Sequence, residues 1–170
     1  MEIRPLLPSD DRSGFSSGEL SLDEYFRRYA GQNQFKHNLG VTYVAVEQSR
    51  VLGYATVSAA HVEIDRLPPP LRKRFPAYPA PVLRLSRLAT DQSARGRGVG
   101  TELLAYVVAL ATRMAREVGC VGILVDAKAN AVDFYERRGF LPMELLHGET
   151  SEAPSPRPMM LPLKRRGAVV

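Results

Sequence analysis

The chain of 170 residues holds a single cysteine, Cys120, which excludes an internal disulfide. Its three histidines, His37, His61 and His147, stand too far apart to share one helix face or one turn as metal ligands do, so no metal is expected. Cys120 lies where a helix gives way to an apolar strand, and it reads as a small buried hydrophobe rather than a nucleophile. No apolar run approaches the roughly 18 residues that a membrane span needs, and Met1 to Pro5 lack a signal peptide's apolar stretch. The chain therefore reads as cytoplasmic, with no membrane partner. Lysine is scarce, confined to Lys36, Lys73, Lys128 and Lys164. The cationic charge is mostly arginine, whose planar fork matches phosphate oxygens two at a time. There is no internal repeat.

What is present suits one compact domain over 1–170, since 45% hydrophobic content can close a single core. A net charge of +5 and a pI near 9.6 point to an anionic partner without saying which. Glu2 to Leu7 reads as a short strand closed by Pro8-Ser9-Asp10-Asp11. In Leu20 to Ala30, Leu22, Tyr25, Phe26 and Tyr29 recur at helical spacing, with Ser21 as N-cap and Glu24 completing a capping box. Val41–Glu47 and Val51–Ala60 read as antiparallel strands joined by Gln48-Ser49-Arg50.

Arg66 to Pro81 concentrates prolines (Pro68, Pro69, Pro70, Pro76, Pro79, Pro81) around Arg72-Lys73-Arg74 and predicts a surface loop with at most one helical turn. Val82 to Thr90 predicts a partly buried strand ending at Asp91. Beyond the glycines, Leu103, Val107, Leu110, Met114 and Val118 mark a long helix stopped by Gly119. Val121–Val125 predicts a buried strand and Ala129–Arg138 a second helix stopped by Gly139. Strand, helix, strand and helix in this half argue for a crossover connection and an α/β class. The stretch 148–158 reads as a mobile tail before a last strand, Met159–Leu163.

Arg95-Gly96-Arg97-Gly98-Val99-Gly100-Thr101 joins a strand to the long helix. Glycine bares the backbone, and the N–H groups of a helix's first turn are unpaired and partly positive, so this is a site for an anion. It is not a P-loop, which needs Lys and then Ser or Thr after its last glycine, where Thr101 and Glu102 stand. Nor is it a dinucleotide fingerprint, whose third glycine falls at Thr101. The pattern left is Arg-x-x-Gly-x-Gly, and it resembles the pyrophosphate loop of the GNAT superfamily of acetyl-CoA-dependent N-acetyltransferases.

A second stretch, Asn130-Ala131-Val132-Asp133-Phe134-Tyr135 followed by Gly139-Phe140, is similar to that superfamily's second signature. The resemblance implies a GNAT-like α/β (α+β) domain with a mixed, mostly antiparallel central sheet, one parallel step and flanking helices. It implies that the backbone of Leu88, Ala89 and Thr90 pairs with the pantetheine arm of acetyl-CoA. Arg95 to Thr101 would hold the diphosphate, Asn130 and Phe134 would line the cofactor, and Tyr135 would protonate the departing thiolate. A phenol with a pKa near 10 carries its proton at neutral pH, as that role requires.

Gly14-Phe15-Ser16-Ser17-Gly18, Leu22-Asp23, Tyr25-Phe26, Arg28, Ala30 and Gln32, with Arg87-Leu88-Ala89-Thr90-Asp91, resemble the acetyltransferase toxins of type II toxin–antitoxin pairs. One departure is Ser17, where that group often has cysteine. This second resemblance implies acetylation of the α-amine of aminoacyl-tRNA, which blocks translation, and a ribbon-helix-helix antitoxin as partner; it leaves a homodimer open. Arg27, Arg28, Arg72, Lys73, Arg74, Arg84 and Arg87 are the candidates for gripping tRNA phosphates. No general base stands out: Glu63, Glu144 or a water chain could take the proton, and an α-amine with pKa near 8 needs no strong base. Two other readings stay open, an acetyltransferase acting on a small amine or a protein N-terminus, and a CoA-binding regulatory or nucleic-acid-binding module without turnover.

Overall fold

The computed structural model describes residues 1–76, 79–143 and 156–164. Among them, seven strands form one sheet: β1 (Glu2–Pro5), β2 (Val41–Glu47), β3 (Arg50–Val62), β4 (Ala80–Thr90), β5 (Gly122–Ala127), β6 (Leu141–Pro142) and β7 (Arg157–Pro162), in the order β1-β2-β3-β4-β5-β7-β6. The pairs β1/β2, β2/β3, β5/β7 and β6/β7 are antiparallel. The neighbours β4 and β5 are linked through the long helix α4 (Val99–Glu117), the crossover that the sequence predicted. This mostly antiparallel sheet flanked by helices is the class the resemblance implied. By compactness the chain divides into two units, one of residues 1–58 and 85–109, the other of the described residues of 59–84 and 110–170.

In the first unit, α1 (Leu20–Glu24), a π turn (Tyr25–Tyr29) and α2 (Ala30–Phe35) run as one helical stretch. Phe26 stacks on Tyr54 at 4.4 Å, with Phe15 edge-on to both. These rings close a core with Leu6, Ala30, Val44, Val46, Val51 and Ala89. The expected capping box at Ser21 is not how the helix starts. Leu22 and Asp23 donate their N–H groups to the Glu19 carbonyl, so the helix begins earlier, and Asp23 rather than Glu24 reaches back, to Ser17. Tyr29, expected on the apolar face, is exposed: the π turn adds a residue to the turn and brings Ala30 inward instead. The Phe26 carbonyl in that turn accepts a bond from Arg12 at 3.0 Å.

The β2–β3 turn is tighter than expected. Gln48 (φ 48°) and Ser49 (φ 64°) form it alone, in the left-handed geometry of two-residue hairpins, and Arg50 already belongs to the strand.

In the second unit, Val62, Leu67, Leu71, Val82, Leu124, Met143 and Met160 form the core. The proline-rich segment does carry one helical turn, α3 (Pro69–Arg72), after a 3-10 turn at Ile64–Arg66. It does not merely cross the surface, however. Prolines at the start of α3 fix φ for a helix, and that turn carries Leu71 into the core, beside Leu67 at the end of the 3-10 turn. Cys120 is buried beside the Gly122 carbonyl, and burial pushes its thiol pKa up, as suits an inert core thiol. Helix α4 belongs to the first unit up to Ala109, where it buries Val99, Leu103, Leu104 and Val107; its second-unit part buries Ala111 and ends at Gly119 (φ 106°), whose N–H reaches the Met114 carbonyl. Val118 falls past the last helical residue and is exposed, contrary to its place in the apolar repeat. The final strand starts at Arg157, two residues before the predicted one; most of the predicted tail 148–158, with His147 and Glu144, lies outside the described residues.

Candidate cofactor and acceptor site

The glycine turn lies in the first unit. After Thr90, Asp91 caps a 3-10 turn, Gln92–Ala94, by accepting from the Ser93 N–H at 3.0 Å. Gly96 (φ 76°) and Gly98 (φ 80°) then take left-handed backbone that side chains rarely adopt, and α4 starts at Val99. A Cβ built on either glycine meets nothing within 4 Å. Backbone geometry therefore demands these glycines, and what they leave is open space over a bare main chain. Val99 and Gly100 open the first turn of α4, and the helix dipole makes this end positive. Bare backbone, open space and a positive helix end fit a diphosphate.

Close packing places this turn. A Cβ on Gly53 of β3 would lie 2.8 Å from the Ala89 carbonyl oxygen, 2.7 Å from Val99 Cγ1 and 3.1 Å from Leu103 Cδ1. Glycine at 53 thus lets β3 lie against the end of β4 and the start of α4. Ala89 is buried, with Leu88 and Thr90 half-buried at the strand's end. The two arginines of the turn lie against protein groups. Arg97 reaches both Glu47 carboxylate oxygens, at 3.0 and 2.9 Å, and that bond holds the Glu47 carboxyl below its usual range. Arg95 donates to the Ser17 carbonyl at 2.6 Å.

The second signature lies in the second unit. Strand β5 leads into a 3-10 turn, Ala129–Ala131, that exposes Asn130, and then into α5 (Val132–Glu136) with Phe134 and Tyr135. Gly139 (φ 91°) ends it. Tyr135 is buried with its ring edge-on to Phe134 at 5.2 Å and Phe140 at 5.0 Å, and burial pushes its phenol pKa up to about 12. The phenol therefore keeps its proton throughout the physiological range. The Arg138 guanidinium lies 3.6 Å over the half-buried Phe134 ring and fixes it.

A model of the acetyltransferase (GNAT) family matches residues 4–140. The chain belongs to this family. It is an acetyl-CoA-dependent N-acetyltransferase. A tRNA-acetylating toxin of Mycobacterium tuberculosis is 36% identical over 124 residues, 73% of this chain and 74% of the relative. Among solved structures, AtaT complexed with acetyl-methionyl-tRNAfMet is 25% identical, with a TM-score of 0.81 over 95% of this chain and 94% of that one. A tyrosine-to-phenylalanine mutant of the AtaT toxin, bound to the C-terminus of the antitoxin AtaR and to acetyl-CoA, is 25% identical, with a TM-score of 0.74 over 95% of this chain and 92% of that one.

The arginines singled out in this acetyltransferase divide by partner. In the first unit, Arg27 donates to the Phe15 carbonyl at 3.2 and 2.6 Å, and Arg87 lies 3.6 Å over the Tyr25 ring, so neither of these partners carries a neutralising charge. Arg28 faces Glu24 at 3.5 Å in an exposed pair. In the second unit, Arg84 meets Asp126 at 2.6 Å, which cancels its charge; Arg72 donates to the Leu67 carbonyl among its contacts, and Lys73 is exposed. Arg74 stands at 5.6 Å over Phe75, and its Nε is buried without a hydrogen-bond partner, as is that of Arg66.

Sequence reasoning gave no role to the carboxylates that build the turn. Asp91 is buried; burial pushes its pKa up, but bonds from Ser93 and the Ser16 N–H outweigh that and hold it low. Its place just after Arg87-Leu88-Ala89, one residue beyond Thr90, was the available signal.

Proposed function

We propose that this acetyltransferase moves the acetyl group of acetyl-CoA to the α-amine of aminoacyl-tRNA and so blocks translation. The observation that carries this is the 36% identity over 73% of the chain to a protein named a tRNA-acetylating toxin. AtaT, described in complex with acetyl-methionyl-tRNAfMet, supports it. In this reading the main chain of Leu88, Ala89 and Thr90 pairs with the pantetheine arm. The backbone of Arg95 to Thr101, Gly96, Arg97, Gly98, Val99 and Gly100 included, holds the diphosphate. Asn130 and Phe134 flank the cofactor. Arg27, Arg28, Arg87 and the Arg72-Lys73-Arg74 run grip tRNA phosphates, with Arg84 the weakest candidate because Asp126 already matches it.

When bound, acetyl-CoA supplies a thioester whose carbon–sulfur bond breaks as the new carbon–nitrogen bond forms. Tyr135 then serves the departing sulfur. With a pKa of about 12 against a thiol's ordinary 8.5, full proton transfer is uphill by roughly 4 to 5 kcal/mol, so Tyr135 acts first as a hydrogen-bond donor to the developing negative charge. The amine's own proton leaves to solvent, because an amine with pKa near 8 is already partly neutral. A ribbon-helix-helix antitoxin, pairing with a second copy and a place in the cytoplasm belong to the same proposal. AtaT's complex with AtaR supports the antitoxin, and no helix among the described residues is long and apolar enough to cross a membrane.

The test is incubation with labelled acetyl-CoA and, separately, charged tRNA, uncharged tRNA and a panel of small amines. Label on charged tRNA alone is the expected result. Comparable transfer to a small amine overturns the toxin reading, and retained affinity for coenzyme A without any transfer points to a module without turnover.

A further inference from the structure

The glycine turn carries two left-handed glycines, Gly96 and Gly98, and because glycine gives up the most backbone freedom on ordering, such a turn binds weakly unless something orders it beforehand. A cross-brace does so within the first unit. Arg95 donates to the Ser17 carbonyl at 2.6 Å, the Ser16 N–H donates to Asp91 Oδ2 at 3.0 Å, and the Gln92 N–H donates to the Ser16 carbonyl at 2.8 Å. Asp91 Oδ1 meanwhile accepts from the Ser93 N–H and hydroxyl, at 3.0 and 2.6 Å. One carboxylate therefore ties the loop at Ser16 to the turn that opens the glycine segment.

The fit is close. A Cβ on Gly18 (φ 91°) would lie 2.6 Å from Gln92 Nε2 and 2.9 Å from Arg95 Nη2. On its far side the same loop is held by the helical stretch. Asp23, 2% exposed, accepts from the Ser17 N–H at 2.9 Å and from the Ser17 hydroxyl at 2.6 Å, while Arg27 holds the Phe15 carbonyl.

We propose that Arg95 and Asp91 are positioning residues that set the cofactor turn through the Ser16–Gly18 loop, so that this loop governs affinity for coenzyme A without touching it. The Arg95 side chain then acts on Ser17, and only its backbone belongs to the diphosphate grip. This rests on the reading of the glycine turn given under the proposed function.

Calorimetry with coenzyme A, on the wild type and on Arg95→Gln, Asp91→Asn, Gly18→Ala and the double variant Gly18→Ala/Arg95→Gln, tests it. Each single change is expected to weaken binding roughly tenfold, the scale of one lost charge-assisted bond. The double variant should be no weaker than the worse single, because both changes break one brace. Asp91→Asn and Gly18→Ala should also raise the KM for acetyl-CoA far more than they lower kcat. Loss on Arg95→Gln with none on Asp91→Asn or Gly18→Ala would mean that Arg95 touches the diphosphate itself, and would overturn the proposal. So would additive losses, or a lowered Tm with affinity unchanged. Should Gly18→Ala fail to fold, the Arg95→Gln and Asp91→Asn pair decides in the same way. A wild type that binds no coenzyme A overturns instead the reading on which the brace depends.

Discussion

Gly98→Ala separates the backbone's role in the cofactor turn from ordinary packing. Gly98 sits at φ 80° with open space where a Cβ would go, so folding loses only backbone strain, about 1–2 kcal/mol. For a chain of this length that lowers Tm by roughly 2–4 °C per kcal/mol. Coenzyme A binding should suffer more, because relief of the strain turns main-chain N–H groups away from the anion. Losing one such charge-assisted bond costs about 1.5–3 kcal/mol, a roughly ten- to hundredfold weaker Kd. Gly53→Ala is the contrast: its Cβ would strike the Ala89 carbonyl at 2.8 Å and Val99 Cγ1 at 2.7 Å, an overpacking that costs about 1–3 kcal/mol before any ligand is considered. Thermal melts and calorimetry with coenzyme A distinguish the two, since Gly98→Ala should lose affinity out of proportion to stability and Gly53→Ala should lose both together. A Gly98→Ala protein that binds coenzyme A within about twofold of wild type would refute a main-chain grip on the diphosphate.

Tyr135→Phe keeps the ring against Phe134 and Phe140 and removes only the donor, so turnover should fall while coenzyme A affinity stays near normal; unchanged turnover rules out the assigned role. The same hydroxyl makes an alkaline prediction. Its folded pKa, about 12, exceeds the unfolded value near 10, so stability is intact below pH 10 and falls as pH rises from 10 toward 12, and Tyr135→Phe should flatten part of that slope in denaturant titrations. For the acceptor, Lys73→Ala should reduce the slope of log affinity for charged tRNA against log salt by about 0.7–0.9, whereas Arg84→Ala, already matched by Asp126, should reduce it less. Equal slopes for both would remove the phosphate-gripping role from the Arg72-Lys73-Arg74 run.

The two signatures were legible because local chemistry dictates them. Gly96 and Gly98 need left-handed backbone, Gly139 ends a helix, and the spacing from Val99 to Ala111 follows a helical period, all properties of short stretches of chain. The features that escaped depend on partners distant in sequence. Tyr29 stood in the right period for the core, yet the π turn at Tyr25–Tyr29 moved it outward, and Arg12, fourteen positions before Phe26, supplies the bond to the Phe26 carbonyl within that turn. Leu67 and Leu71 sat among prolines and charges that suggested a surface loop, and only the packing of Val62, Val82 and Met160 gives them a core to enter.

The arginines carry the same lesson further. Sequence can count charge and place it beside glycines, but it cannot say whether a guanidinium faces a carbonyl, a ring or a carboxylate, and those three partners have different consequences. A carboxylate cancels the charge, as Glu47 does for Arg97 and Asp126 for Arg84. A carbonyl or a ring fixes the guanidinium's position and leaves its charge available to phosphate, as Phe15 does for Arg27 and Tyr25 for Arg87. The chain's net charge of +5 is therefore a poor guide to where nucleic acid would bind. The identity of each basic side chain's partner is the better one, and it favours Arg27 and Arg87 over Arg28 in the first unit and the exposed Lys73 over Arg84 in the second.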